Sequence, residues 1–239
     1  MTRNYALIAC DVFQEELSAF AGDTPPWHHI EYLKMGLHDQ PDKLRQEIQA
    51  AITRIEADSE VDTILLAYGL CGNGLLGICA QRCILILPRA HDCISILLGG
   101  MERHSAILKE NPGTYFYTPG WVRSKRVPGP DREAHIRTVY AERYPDDEEM
   151  IDELVEADAD AFAHHNCAAY VDVTGNSQAE RYCQDCAQHL GWQFRRLSGD
   201  SSMLKDLLNG NWEDSRTLTV PPGHKTVQHG QSTLCCEPL

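Results

Sequence analysis

No apolar run in this chain is long enough to cross a membrane. That excludes a membrane-spanning helix. The opening Met1-Thr-Arg-Asn4 is followed by only six apolar residues, too few for the hydrophobic region of a signal peptide. The expected location is therefore the cytoplasm, where thiols stay reduced. Positive charge is also scarce: 21 Lys and Arg face 35 Asp and Glu, a net charge of -14. Such a surface repels nucleic acid and anionic membranes, so neither is an expected partner. Residues 131–160 hold twelve acidic residues against three Arg and read as a solvated helical face. No short-period repeat is present. Cysteine is what the chain has in plenty. Ten of them in a reducing compartment argue against a disulfide framework, so some are expected to bind metal or react.

Short aliphatic and β-branched runs predict strands near 4–10, 30–35, 62–68, 84–88 and 114–118. Helical periodicity lies between them. Residues 42–57 place Leu44, Ile48, Ala51, Ile52 and Ile55 on one face, with Pro41 in the first turn. Further helices are expected over 73–81 and 94–110. After the turn-rich connector 123–130 come helical patterns at 131–144 and 146–164. A second alternating run follows: strands at 168–174, 193–197 and 217–220, and helices at 177–190 and 201–208. The tail from His224 reads as loose.

Alternating strands and helices predict an α/β protein with mostly parallel sheets and flanking helices. Two Rossmann-like halves facing across a cleft are one form of it, and a single continuous sheet is another. The expected division is an N-terminal α/β half (1–123) and an acidic helical connector (124–164). A C-terminal α/β half (165–223) and a tail (224–239) complete it.

Three of the apolar runs lead directly into a cysteine: Tyr5-Ala-Leu-Ile-Ala-Cys10, Thr63-Ile-Leu-Leu-Ala-Tyr-Gly-Leu-Cys71 and Ile84-Leu-Ile-Leu-Pro-Arg-Ala-His-Asp-Cys93. In a parallel sheet all three thiols reach the carboxyl edge, where open α/β sheets place ligands. Cys10, Cys71, His91 and Cys93 are thus the candidate metal ligands. His91 and Cys93, two apart in extended chain, point the same way. Asp92 can cap the following helix or orient the His91 ring. His38, in the turn after the second strand, is a candidate fourth ligand or, beside Asp92, a candidate for proton transfer. Gly72, Gly74 and Gly77 match G-x-G-x-x-G and are candidate cofactor-binding positions, through a dinucleotide or through close backbone approach to a cluster or carboxylate. Tyr115–Trp121 is the expected aromatic wall of the pocket. Cys183 and Cys186, one helical turn apart, read as packing.

Several stretches together resemble one family, the domain of unknown function 1638. They are Cys10, Gly36-Leu-His-Asp39, Tyr68-Gly-Leu-Cys-Gly-Asn-Gly74, Pro88-Arg-Ala-His-Asp-Cys93, Gly113-Thr-Tyr-Phe-Tyr-Thr-Pro-Gly-Trp121, Leu207-Leu-Asn-Gly-Asn-Trp212 and Val220-Pro-Pro-Gly223. The resemblance covers most of residues 5–223. It implies no activity by itself, but it associates the chain with corrinoid-dependent methyl transfer in anaerobes. A corrinoid protein or a methyltransferase is the partner that follows.

Three functional readings stand. In the first, zinc on Cys71, His91 and Cys93 serves methyl or thiol transfer on a small-molecule substrate, with Cys10 closing the site or acting as the exchanging ligand. This resembles zinc enzymes that alkylate thiols, although here Cys71 precedes the His-x-Cys pair. In the second, Cys10, Cys71 and Cys93 hold a [4Fe–4S] cluster with one open iron for lyase or desulfidase chemistry. Quinolinate-synthase-like enzymes likewise draw one cysteine from each of several α/β units. In the third, the protein is a non-enzymatic carrier of metal or corrinoid.

Overall fold

The computed structural model describes residues 4–20, 27–212, 215–229 and 233–239. In chain order the elements begin with β1 (Tyr5–Cys10), α1 (Gln14–Phe20), β2 (Trp27–Leu33), α2 (Pro41–Glu56), β3 (Thr63–Ala67), β4 (Cys79–Ala80) and β5 (Ile84–Pro88). Next come α3 (Cys93–Leu97), α4 (Met101–Glu110), β6 (Thr114–Tyr117), α5 (Pro119–Arg123), α6 (Arg132–Arg143), α7 (Glu148–Asp160) and β7 (Cys167–Asp172). The chain ends with α8 (Ser177–Leu190), β8 (Gln193–Ser198), α9 (Ser202–Asn209), β9 (Thr217–Val220), β10 (His224–His229) and β11 (Thr233–Pro238). They form two compact units, 1–104 with 199–239, and 105–198.

The first unit is built on a five-stranded sheet of order β2-β1-β3-β5-β9. β1 pairs in parallel with β2 and β3, and β3 in parallel with β5. The three strands expected to deliver cysteines therefore do lie parallel in one sheet. β9 closes the edge antiparallel to β5. All five residues of β3 are buried, as a strand covered on both faces requires. α2 forms because its apolar residues recur every three to four positions. Leu44, Ile48, Ala51, Ile52 and Ile55 all go into the core against Ile8, Ile64 and Leu66. Each such fully buried aliphatic side chain stabilises the fold by about 1.5–3 kcal/mol.

Three expectations fail, each for a local reason. No helix forms over 73–81. Cys71, Gly72, Asn73 and Gly77 have φ of 47°, 64°, 74° and 83°, a left-handed run that no α-helix accommodates. The helix expected over 94–110 is two helices, α3 and α4. Gly99 and Gly100 break it at φ 81° and 149°. A Cβ on Gly99 would lie 2.4 Å from the Asp200 carboxylate, so the break admits that side chain. The tail is not loose. β10 and β11 form an antiparallel hairpin that also pairs with β4. The buried Thr226 secures it: the Ile78 N–H donates to its hydroxyl at 3.1 Å, the Gly77 N–H to its carbonyl at 2.8 Å, and its own hydroxyl donates to the Leu75 carbonyl.

The second unit carries the parallel sheet β6-β7-β8. The Asn176 side chain caps α8 by accepting from Gln178 and Ala179 N–H, and Gly191 ends it at φ 68°. The inward face of α8 presents Ala179, Cys183, Cys186 and Ala187 to Ala168 and Tyr170. Burial pushes both thiols up, Cys186 to about 11, so this pair packs as inert core.

Asp200 also serves the first unit as an acid-sensitive brace. Its carboxylate accepts from the Ser202 N–H at 2.8 Å where α9 begins. That bond, assisted by Arg103 and Arg216, holds the carboxyl below its usual range. A depressed carboxylate adds stability above its unfolded pKa of about 3.9, and that stability is lost as pH falls through the folded value. Asp200→Asn should therefore flatten the acid limb of stability against pH, followed by urea unfolding between about pH 5 and pH 2. Identical acid limbs for the two proteins would contradict this.

Candidate functional site

The strand order turns at β1: the chain goes to β2 on one side and to β3 on the other. Open α/β sheets form their ligand crevice at such a reversal, beyond the carboxyl ends. Cys10 ends β1 and Cys71 follows β3, so both sit at that point. The 3-10 turn Leu37–Asp39 follows β2, and His91-Asp92-Cys93 follows β5, on the same edge.

Backbone bonds hold the loops after β3 and β5 together. Leu70 N–H donates to the Ala90 carbonyl at 2.8 Å, and Cys71 N–H to the His91 carbonyl at 2.9 Å. The contact needs a glycine, because a Cβ on Gly69 would lie 2.5 Å from the Asp92 Cα. Cys71 is thereby set near Asp92 and Cys10, in a left-handed conformation unusual for a residue with a side chain. It keeps part of its surface exposed, yet its packed surroundings, with Cys10 and Asp92 adding, push the thiol up to about 12. Alone it is a poor nucleophile; a cation beside it would reverse that.

Tyr68 carries no site role in the sequence reading. Its side chain is buried and its hydroxyl has no hydrogen-bond partner of normal geometry. The Cys10 sulfur is close enough to interact, although the approach lacks that geometry. Burial, with Cys10 and Cys71 nearby, raises the phenol far above its ordinary pKa, so it stays a neutral donor. The available signal was a tyrosine directly after a wholly buried strand.

Asp92 performs both of the roles expected of it. One oxygen caps α3, accepting from Ser95 N–H at 2.7 Å and from the Ser95 hydroxyl at 2.8 Å. The other lies 3.1 Å from His91 Nδ1. Burial pushes this carboxyl up, but the Ser95 N–H, His104 and His91 outweigh it and hold it below its usual range. An ionised carboxylate only accepts, so the contact with Asp92 is made by a proton on His91 Nδ1, with Nε2 on the other side of the ring. His104 joins from α4, 3.4 Å from the Ser95 hydroxyl and 4.0 Å from Asp92. Sequence reasoning missed it because the Gly99-Gly100 break turns α4 back towards Asp92.

The remaining candidates divide. His38 pairs with its neighbour Asp39 at 3.2 Å, and its backbone carbonyl lies 3.7 Å from where a Gly72 Cβ would be. Gly74 lets the turn pack on α2, since a Cβ would reach within 2.5 Å of Leu44. Without a helix after these glycines, the strand–turn–helix context of a dinucleotide fingerprint is not formed. Among the described residues, no three His, Cys, Asp or Glu side chains converge as around a metal ion. As placed, Cys10, Cys71, His91 and Cys93 do not make such a group. Tyr115–Trp121 belongs to the second unit, where Tyr115 packs with Trp121, Phe162, His165 and Trp192.

The family model described as protein of unknown function (DUF1638) matches residues 32–208. The chain belongs to that family. The DUF1638 match includes Cys71, Asp92 and Cys93 and begins after Cys10. No curated protein and no solved structure matches the chain. No helix among the described residues is long and apolar enough to cross a membrane.

The contact at Gly69 yields a direct test. Gly69→Ala drives a Cβ into backbone, where neither chain can yield cheaply, and should destabilise the protein by about 1–3 kcal/mol in urea unfolding. An unchanged midpoint would show that the two loops are not held this tightly.

Proposed function

We propose that this protein is a metal-dependent enzyme that holds a [4Fe–4S]-type cluster on Cys10, Cys71 and Cys93 and acts on a small-molecule substrate. One observation carries the reading: the ends of three adjacent parallel strands, β1, β3 and β5, each lead to a cysteine at one sheet edge. Three thiols drawn from three separate strand ends suit a cluster, which takes one thiolate per iron, better than a single zinc, whose thiolates crowd to about 4 Å. Ligands spread in this way need no local Cys-x-x-Cys spacing. The buried Tyr68 hydroxyl supplies a neutral donor beside Cys10 and Cys71, and donors to cluster sulfurs tune potential.

Bound there, such a cluster supplies a Lewis-acidic iron with an open position. The chain's own residues supply the rest. His91 is 64 % exposed, so its Nε2 can reach substrate while Asp92 fixes the ring through Nδ1. Ser95 and His104 hold Asp92 in turn. A histidine oriented by a carboxylate suits the proton transfer of an elimination, such as dehydration or sulfur removal.

Protein purified without oxygen should contain iron and acid-labile sulfide in equal amounts, about four of each per chain. Cys71→Ser should lose both. One tightly held zinc without sulfide would overturn the cluster in favour of the thiol-alkylating zinc reading.

A further inference from the structure

We infer that the substrate carries a carboxylate, held by Arg89 in a small cleft beside His91. The cleft encloses about 20 Å³ and is lined by Leu70, Arg89, Ala90, His91, Met101, Gln228 and Leu234. That is room for one water-sized group, such as one oxygen of a carboxylate. Arg89 stands directly after β5, two residues before His91, on the candidate reacting edge.

Its guanidinium is partly buried and makes two hydrogen bonds, both to backbone: Nε donates to the Thr217 carbonyl at 3.0 Å, and one terminal nitrogen donates to the Leu234 carbonyl. Neither acceptor carries charge. No Asp or Glu among the described residues pairs with Arg89, and its charge acts on the Cys236 thiol. Arginine has five N–H donors, so most remain for a ligand. A partly buried cation without a counter-charge is unfavourable until an anion binds it. The planar guanidinium fork matches a carboxylate in shape. In a chain of net charge -14, an arginine in a cleft with no acidic partner among the described residues is a local exception.

The surroundings fit the assignment. Gln228 comes from β10 and offers an uncharged amide to the same space. Leu70 and Met101 offer apolar surface for the substrate's carbon skeleton. A substrate with its carboxylate on Arg89 can extend towards His91, which lines the same cleft. The inference rests on the proposed enzymatic reading only in calling the bound group a substrate's; the anion site stands on Arg89 and the cleft alone.

The test separates the two. Full-length protein is titrated with sodium malonate, against sodium chloride and sodium sulfate at equal ionic strength, and the thermal midpoint is followed while iron content is measured on the same samples. Malonate should raise the midpoint beyond chloride and beyond sulfate, whatever the iron content. Gln228→Glu places a carboxylate in the cleft without removing the Arg89 bonds to Thr217 and Leu234, and should weaken malonate binding at least tenfold. Arg89→Met should abolish it, and Gln228→Glu keeps the inference testable if that variant does not fold. No malonate effect beyond chloride, an equal or larger effect of sulfate, or unchanged binding in Gln228→Glu would each overturn the carboxylate site. Iron content bears on the cluster alone.

Discussion

The candidate site depends on one close contact, the backbone of Gly69 lying against that of Asp92. Two hydrogen bonds run alongside it, from Leu70 to Ala90 and from Cys71 to His91. They tie the loop after β3 to the loop after β5 and leave no space for a side chain at position 69. Cys71 and the His91-Asp92-Cys93 turn are brought together by that tie. Cys71 is forced into a left-handed conformation near Cys10, and Asp92 is set to cap α3 while orienting His91. The tight turn at 71–77 is held from its far side by the C-terminal hairpin through Thr226. A segment more than 140 residues distant in sequence thus fixes the glycine-rich turn.

The features legible in the sequence were those set by local pattern. Parallel strands ending at Cys10 and leading to Cys71 and Cys93 could be read from short aliphatic runs, and the buried face of α2 from its spacing. The double duty of Asp92 followed from its place between a strand end and a helix start. What could not be read depends on distant partners. The hairpin of β10 and β11 has little apolar character of its own and exists because Thr226 completes the turn at 75–78. The break between α3 and α4 was signalled by Gly99-Gly100, but its purpose is visible only where Asp200 fills the space. His104 reaches Asp92 only because of that break.

The electrostatics and the topology point to the same edge. The thiols of Cys10 and Cys71 meet at the reversal of strand order, beside a phenol that burial keeps neutral and that lacks a normal hydrogen-bond partner. Asp92 is held ionised and close enough to act on the Cys71 thiol, and Arg89 and His91 line a small cleft next to it. The second unit contributes no comparable group: its paired cysteines are buried with raised thiols, and its aromatic residues pack on one another. These groups therefore gather at one edge of one sheet.

The most direct measurement is anomalous diffraction at the iron edge, on crystals grown from protein purified without oxygen. The account predicts one strong multi-iron peak at the carboxyl edge, bonded to the sulfurs of Cys10, Cys71 and Cys93. Iron bound elsewhere, or an edge holding a single zinc with these three sulfurs unshared, would contradict it.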